Sequence, residues 1–176
     1  MKLFKYLFYL FAFIYLLLFF LPKSELYYKS EELLSKKEIY INDEIVKEKP
    51  FGLNIKGAKV IYESLLVGGI KEIDADIFLF YNSLELKGVN LRVGALKFIP
   101  KNAKEIKITY SIKDVKRVYF SAISDIGEIK GSFNLFKQKI SVFLKRKKGA
   151  RYNEILRYFK KDKKGEYRYE KTFKLY

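Results

Sequence analysis

The chain has 176 residues, 49% of them hydrophobic and only three prolines, which favours one folded body over long disorder. Cysteine and histidine are both absent, which excludes a disulfide framework, thiolate chemistry, and the commonest general base and metal ligand. The formal charge of +16 suits anionic partners such as phospholipid or lipopolysaccharide headgroups, or nucleic acid, and equally a lysine-rich domain kept soluble by its own charge.

The first stretch, KLFKYLFYLFAFIYLLLFFLPKS, carries no charge from Tyr6 to Leu21, and its apolar character reaches back through Phe4 and Leu3 past Lys5. This approaches the roughly 20 residues needed to cross about 30 Å of hydrocarbon. A cleaved secretory signal has a shorter apolar region ending in small residues, whereas this one ends Phe19-Phe20-Leu21-Pro22. A core helix would carry a polar face, and none is present. The expectation is an uncleaved anchor over residues 1–22, with Leu3, Tyr6, Leu10, Ile14, Leu17 and Leu21 in the bilayer and Lys5 reaching the interface. Lys2 and Lys5 on one side, against Lys23, Lys29, Lys36 and Lys37 on the other, do not decide orientation. The tiny basic tail before the apolar run favours an inside amino terminus and an extracytoplasmic body.

Pro22 ends the apolar run, and Ser24 is placed to cap a short juxtamembrane helix within residues 23–37, with Tyr27 and Tyr28 at the level of an aromatic belt. From Glu38 the hydrophobic period changes to two. Strands are expected over Ile39–Ile41, Leu53–Ile55, Lys59–Tyr62, Ile70–Tyr81, Leu84–Val93, Glu105–Ser111, Lys116–Ala122, Glu128–Leu135 and Lys139–Leu144. Asn42-Asp43, Lys49-Pro50, Gly68-Gly69, Asn82-Ser83, Pro100-Lys101-Asn102 and Asp125 suit the turns between them. Glu72, Asp74 and Asp76 alternate with Ile73, Ala75 and Ile77, and Lys107 and Thr109 with Ile106, Ile108 and Tyr110, so one face is dry and the other wet. Gly88 reads as a bulge, and Gly127 and Gly131 as strand glycines approached by another backbone. Tyr152, Ile155, Leu156 and Phe159 are spaced for a helix of about Tyr152 to Lys160, and Tyr167–Phe173 for a closing strand. The fold class is mainly β: an anchor helix and an antiparallel domain over residues 38–176, as a curved sheet, sandwich or jelly roll, with a short C-terminal helix.

Few residues offer chemistry. Glu72, Asp74 and Asp76 form a carboxylate row, but oxygen cages take six or more ligands from several segments, so the row reads as a solvated face and no metal is assigned. Gly68-Gly69 has no following helix and makes no phosphate cradle. Lys145, Arg146, Lys147, Lys148 and Arg151 flank the C-terminal helix in a layout that anionic headgroups attract, and that a solvated tail also produces. No basic strip interleaved with aromatics points to nucleic acid. No catalytic residue and no cofactor are assigned.

The stretches LPKSELYYKSEELLSKKEIYIN and SDIGEIKGSFNLFKQKISVFL resemble type II secretion system protein N and the AsmA-like envelope proteins. The resemblance covers most of the chain in layout and these two stretches in residues. It implies a noncatalytic single-pass protein of the bacterial inner membrane, N-terminus cytoplasmic and β domain periplasmic. Such a protein works as an accessory or scaffold of an envelope machine, in contact with membrane lipid and other envelope or secretion-system proteins. The rival reading is a lipid or lipopolysaccharide conduit, similar to the lipopolysaccharide transport protein C component. The two differ on the dry face, which a scaffold packs at core density and a conduit leaves open.

Overall fold

A computed structural model describes residues 2–92, 101–149, 154–161 and 166–173. Helix α1, Lys2–Phe20, is about 28 Å long at ~1.5 Å per residue, buries no side chain, and is long and apolar enough to cross a membrane. Helix α2, Lys23–Ser35, follows directly. Lys23 lies at the junction with only 3% of its surface exposed, its Nζ donating to the carbonyls of Phe19 and Leu21 at 3.1 and 3.0 Å. It thus satisfies acceptors that the end of α1 leaves unpaired. Ser24 is not the N-cap. Pro22 takes that position, and Ser24, in the first turn, donates from its N–H and its Oγ to Glu48 Oε1 at 2.7 and 2.5 Å. A carboxylate from the β domain therefore caps α2, and this hydrogen bond from Ser24 holds Glu48 below the usual carboxylate range.

The body is one antiparallel sheet of eleven strands: β1 Ile39–Asn42, β2 Ile45–Lys49, β3 Gly52–Tyr62, β4 Leu65–Ile77, β5 Tyr81–Leu91, β6 Asn102–Ser111, β7 Arg117–Ser124, β8 Gly127–Asn134, β9 Lys139–Arg146, β10 Lys160–Lys161 and β11 Tyr167–Thr172. The order is β1-β3-β4-β5-β6-β7-β8-β9-β11-β10, with β2 also paired to β3, so the strands from β3 to β9 form a meander. Helix α2 lies along the β1–β2–β3 edge. Of the forms that alternation leaves open, the sheet is open and single. No second sheet faces it among the described residues.

Several turns differ from expectation. Gly68 and Gly69 lie inside β4, and the β3–β4 turn is Glu63-Ser64, both at positive φ (47° and 64°). Two such residues give the mirror-image turn whose twist suits a tight hairpin, so the glycines are not needed there. Asn82 and Ser83 lie inside β5, and the β4–β5 connection is Phe78-Leu79-Phe80. The two short strands expected over residues 53–62 are one, β3, and β2 was not expected. Gly88 has φ +62°, but Lys87↔Glu72 and Val89↔Ile70 step two residues on each side, so the pairing is interrupted without an inserted residue. Val93, Pro100, Arg151 and Tyr152 lie outside the described residues. The C-terminal helix is a 3-10 segment, Glu154–Tyr158, and Leu156 and Phe159 pack on buried Ile126 and Leu144, as their spacing implies.

Strand β11 is held to β9 partly by Glu170, which accepts from Lys139 at 2.7 Å and from Arg168 Nε at 3.0 Å. Those cations lower the Glu170 pKa from 4.5 to about 2. The carboxylate is more acidic folded than unfolded, so its contribution is complete above pH ~4.5 and is lost as pH falls toward 2. Amide exchange in Tyr167–Thr172, corrected for intrinsic rates, should accelerate below pH 4, and Glu170→Gln should remove that dependence.

Candidate functional site

Antiparallel partners share a face, so the register defines rows that run across the sheet. One row reads Val46-Ile55-Ile73-Leu86-Ile106-Ala122-Ile129-Leu144-Tyr167. The next reads Leu53-Ala75-Leu84-Ile108-Phe120-Gly131-Val142-Tyr169. Within it the Phe120 ring lies over Gly131, where a Cβ would stand 2.3 Å from Phe120 Cζ and 2.6 Å from the Ser141 carbonyl oxygen. A third, Ile77-Asn82-Tyr110-Val118-Phe133-Ile140, has Asn82 as its one amide. Of these three rows, only Leu53, Ile55 and Leu144 are buried; Ile106, Ile108, Phe120, Val142 and their neighbours are half-buried. A continuous apolar surface crosses the sheet, and among the described residues no layer is laid over most of it. The exceptions are the β3 side, where Leu53 and Ile55 are buried, and the β8–β9–β11 corner, where Leu156 and Phe159 cover Leu144.

The opposite face is ionic. Lys49 donates to Asp74 and, at 2.7 Å, to Asp76, while Asn54 donates to Glu72 at 2.8 Å and to Asp74 at 3.1 Å. Lys87 lies 3.6 Å from Glu72 and 3.3 Å from Glu85. The Lys49 hydrogen bond, foremost, keeps Asp74 below the usual carboxylate range, and the Asn54 amide does the same for Glu72. The carboxylate row is thus engaged by the protein's own donors.

The two ends of the sheet differ. At one end lie the connections β2–β3, β4–β5, β6–β7 and β8–β9, and their tips are apolar: Phe51, Phe78-Leu79-Phe80, Ile112 with Val115, and Leu135-Phe136. Phe136 is 73% exposed, Ile112 55% and Phe80 50%. At the other end the described turns carry Glu63-Ser64, Asp125 and Lys147-Lys148, while most of the β5–β6 connection lies outside the described residues. Helix α1 is attached to the apolar end: ring centroids of Phe11 and Phe80 are 6.3 Å apart, Tyr15 and Phe51 4.9 Å, and Phe19 and Phe51 6.1 Å, with Phe51 stacked on Phe78 at 5.1 Å. Between the helix and these tips is a cleft of about 400 Å³, lined by Phe8, Phe11, Ala12, Ile14, Tyr15, Leu18, Phe51 and Phe78 to Tyr81.

Of the anchor residues, Ile14 lines that cleft, while Leu3, Tyr6, Leu10 and Leu17 stay exposed along α1, which also carries Lys5; Leu21 follows the helix. Lys145 to Lys148 run from the end of β9 at the far side of the sheet, about 26 Å from the apolar tips at ~3.3 Å per residue, so the structure does not bring them to the anchor. The basic residues beside the tips are instead Lys113, Lys116 and Lys137, all exposed. Sequence reasoning missed them, and with them the apolar tips, although large apolar residues between two strands are the signal: turns are ordinarily polar. Tyr27 donates to Glu31 at 2.7 Å, and burial with that carboxylate pushes its hydroxyl pKa up. No family model, no curated protein and no solved structure matches the chain.

Proposed function

We propose that the protein is a noncatalytic, membrane-anchored module that shelters lipid acyl chains on the apolar face of its sheet, acting as a lipid or lipopolysaccharide transport component. The observation that carries this reading is the join between that face and α1: three rows of partly buried apolar side chains cross the sheet one after another toward the end where Phe51 and Phe80 meet the helix. Contiguous apolar surface of this kind marks an interaction site or a ligand-binding groove. Lipid is the apolar partner nearest to hand once α1 lies in a bilayer. The signal-like layout of the N-terminus favours a bacterial inner-membrane setting, with the amino terminus cytoplasmic and the body periplasmic.

A second reading is the accessory or scaffold role in a secretion-like envelope machine, in which another envelope protein covers the same face; the β10 edge, which pairs on one side among the described residues, favours it, since open edges accept further strands. No nucleic acid and no cofactor enter either reading. The test is a photoreactive p-benzoylphenylalanine in place of Ile108 on the apolar face or Thr109 on the ionic face, in the full chain in native membranes. Acyl-lipid adducts are expected at Ile108 and not at Thr109. Protein adducts alone at Ile108 would transfer the face to the scaffold reading, and equal lipid labelling at both positions would overturn the sheltering role.

A further inference from the structure

We infer that the apolar hairpin tips form a membrane-docking rim that seats the open end of the sheet in the same leaflet that α1 enters. The partner is the lipid bilayer itself. Docking rests on the reading above only in placing α1 in a membrane; it does not require that lipid travels along the sheet.

Three observations converge. The exposed tip residues Phe80, Ile112, Val115, Leu135 and Phe136 lie at one end of the sheet, on three successive hairpin connections. That is the end α1 touches, and it does so through its own middle. Phe11 stands nine residues before Phe20, roughly 13 Å along the axis at ~1.5 Å per residue, so the β4–β5 tip that meets Phe11 reaches well below the level where α1 leaves the hydrocarbon. Water would surround Phe78-Leu79-Phe80 in any pose that kept the tips out of a bilayer holding α1. Finally, Lys113, Lys116 and Lys137 interrupt the rim at intervals, which lets apolar side chains enter while amines remain among anionic headgroups. The cleft beside α1, with Ile14 and Phe80 on its walls, then opens sideways into the leaflet at acyl-chain depth.

The chain contains no tryptophan, so single substitutions report without background. Phe80→Trp, Phe136→Trp and Lys147→Trp are made in the full chain and reconstituted into nanodiscs of zwitterionic and anionic phospholipid, with bromine on the acyl chains. Both rim tryptophans should emit to the blue and lose most of their intensity to bromine; the Lys147→Trp probe should emit to the red and be quenched by aqueous iodide. The inference is overturned if either rim probe behaves as the Lys147→Trp probe does. The unsubstituted chain gives a second reading free of folding effects: tryptic cleavage after Lys137 should slow on passing from detergent to nanodiscs, relative to cleavage after Lys147, and unchanged relative rates also overturn it. Quenched rim probes without lipid adducts at Ile108 leave docking intact and remove sheltering; lipid adducts at Ile108 with iodide-quenched rim probes do the reverse.

Discussion

The double variant Ile14→Arg, Leu17→Arg should leave the carbonate-resistant membrane fraction, while Leu3→Arg should remain in it. A central arginine costs about 2.5–3.5 kcal/mol on the insertion scale, and each lost Ile or Leu removes a further ~0.3–0.6 kcal/mol, so the pair costs roughly 6–8 kcal/mol. The thirteen Leu, Ile and Phe residues of α1 supply about 4–8 kcal/mol on the same scale even if all are credited as central. The two quantities cancel, which makes insertion fail. Leu3 is the second residue of the helix, where an arginine reaches the interface as Lys5 does. The position dependence is the informative part. Apolar residues that merely packed on protein would respond according to burial, yet α1 buries none of its side chains, and Ile14 touches only the cleft at the hairpin tips. Retention of the double variant in the pellet would show that α1 does not hold the chain there, and a mature chain beginning beyond Leu21 would make α1 a removed signal.

The faces of the sheet were legible in the sequence because a period of two is dictated by the backbone: Glu72, Asp74 and Asp76 stand opposite Ile73, Ala75 and Ile77 whatever the strand pairs with. Pairing register and turns were less legible. Glu63 and Ser64 adopt positive φ without glycine, so the hairpin they make leaves no mark of the Asn-Gly kind, while Gly68 and Gly69 suggest a turn that a strand occupies. Strand β2, Ile-Val-Lys-Glu-Lys, pairs on one side only and shows the polar composition of an edge. At the C-terminus the spacing of Leu156 and Phe159 correctly brings both onto the core, although the backbone that does so in the described residues is a five-residue 3-10 segment.

The candidate site was half legible for a related reason. Alternation states that Ile106, Ile108 and Tyr110 share a dry side, but what lies over that side depends on whether the chain supplies a second layer. The chain spends most of its length on one eleven-stranded sheet, and among the described residues α2 lies along one edge while the 3-10 segment covers the opposite corner. The rim required the topology as well. Phe51, Phe80, Ile112 and Phe136 are 29, 32 and 24 residues apart in sequence and come to one end only because every second connection of the sheet returns there.

Leu144→Ala should lower unfolding stability by about 2–5 kcal/mol, the cost of a buried leucine and its cavity, whereas Ile108→Ala in the uncovered part of the face should cost well under half of that. The difference follows from area removed from water, since apolar burial is worth about 25 cal/mol per Å². Leu144 has 0% exposure and is enclosed by Ile126, Ile129, Leu156, Phe159 and Tyr167, so truncation leaves a hole. Ile108 sits between Leu84 and Phe120 and is only partly buried, so its truncation removes less apolar area from cover. Chemical denaturation of the detergent-solubilised chain measures both. A ligand that binds the folded state alone adds its own stabilisation, and a residue contacting it then acquires a further penalty when truncated. Repeating the measurement after adding excess phospholipid should therefore raise the cost of Ile108→Ala while leaving that of Leu144→Ala unchanged. Equal costs for the two variants without lipid would mean that the face is already covered by protein, as a scaffold's core is.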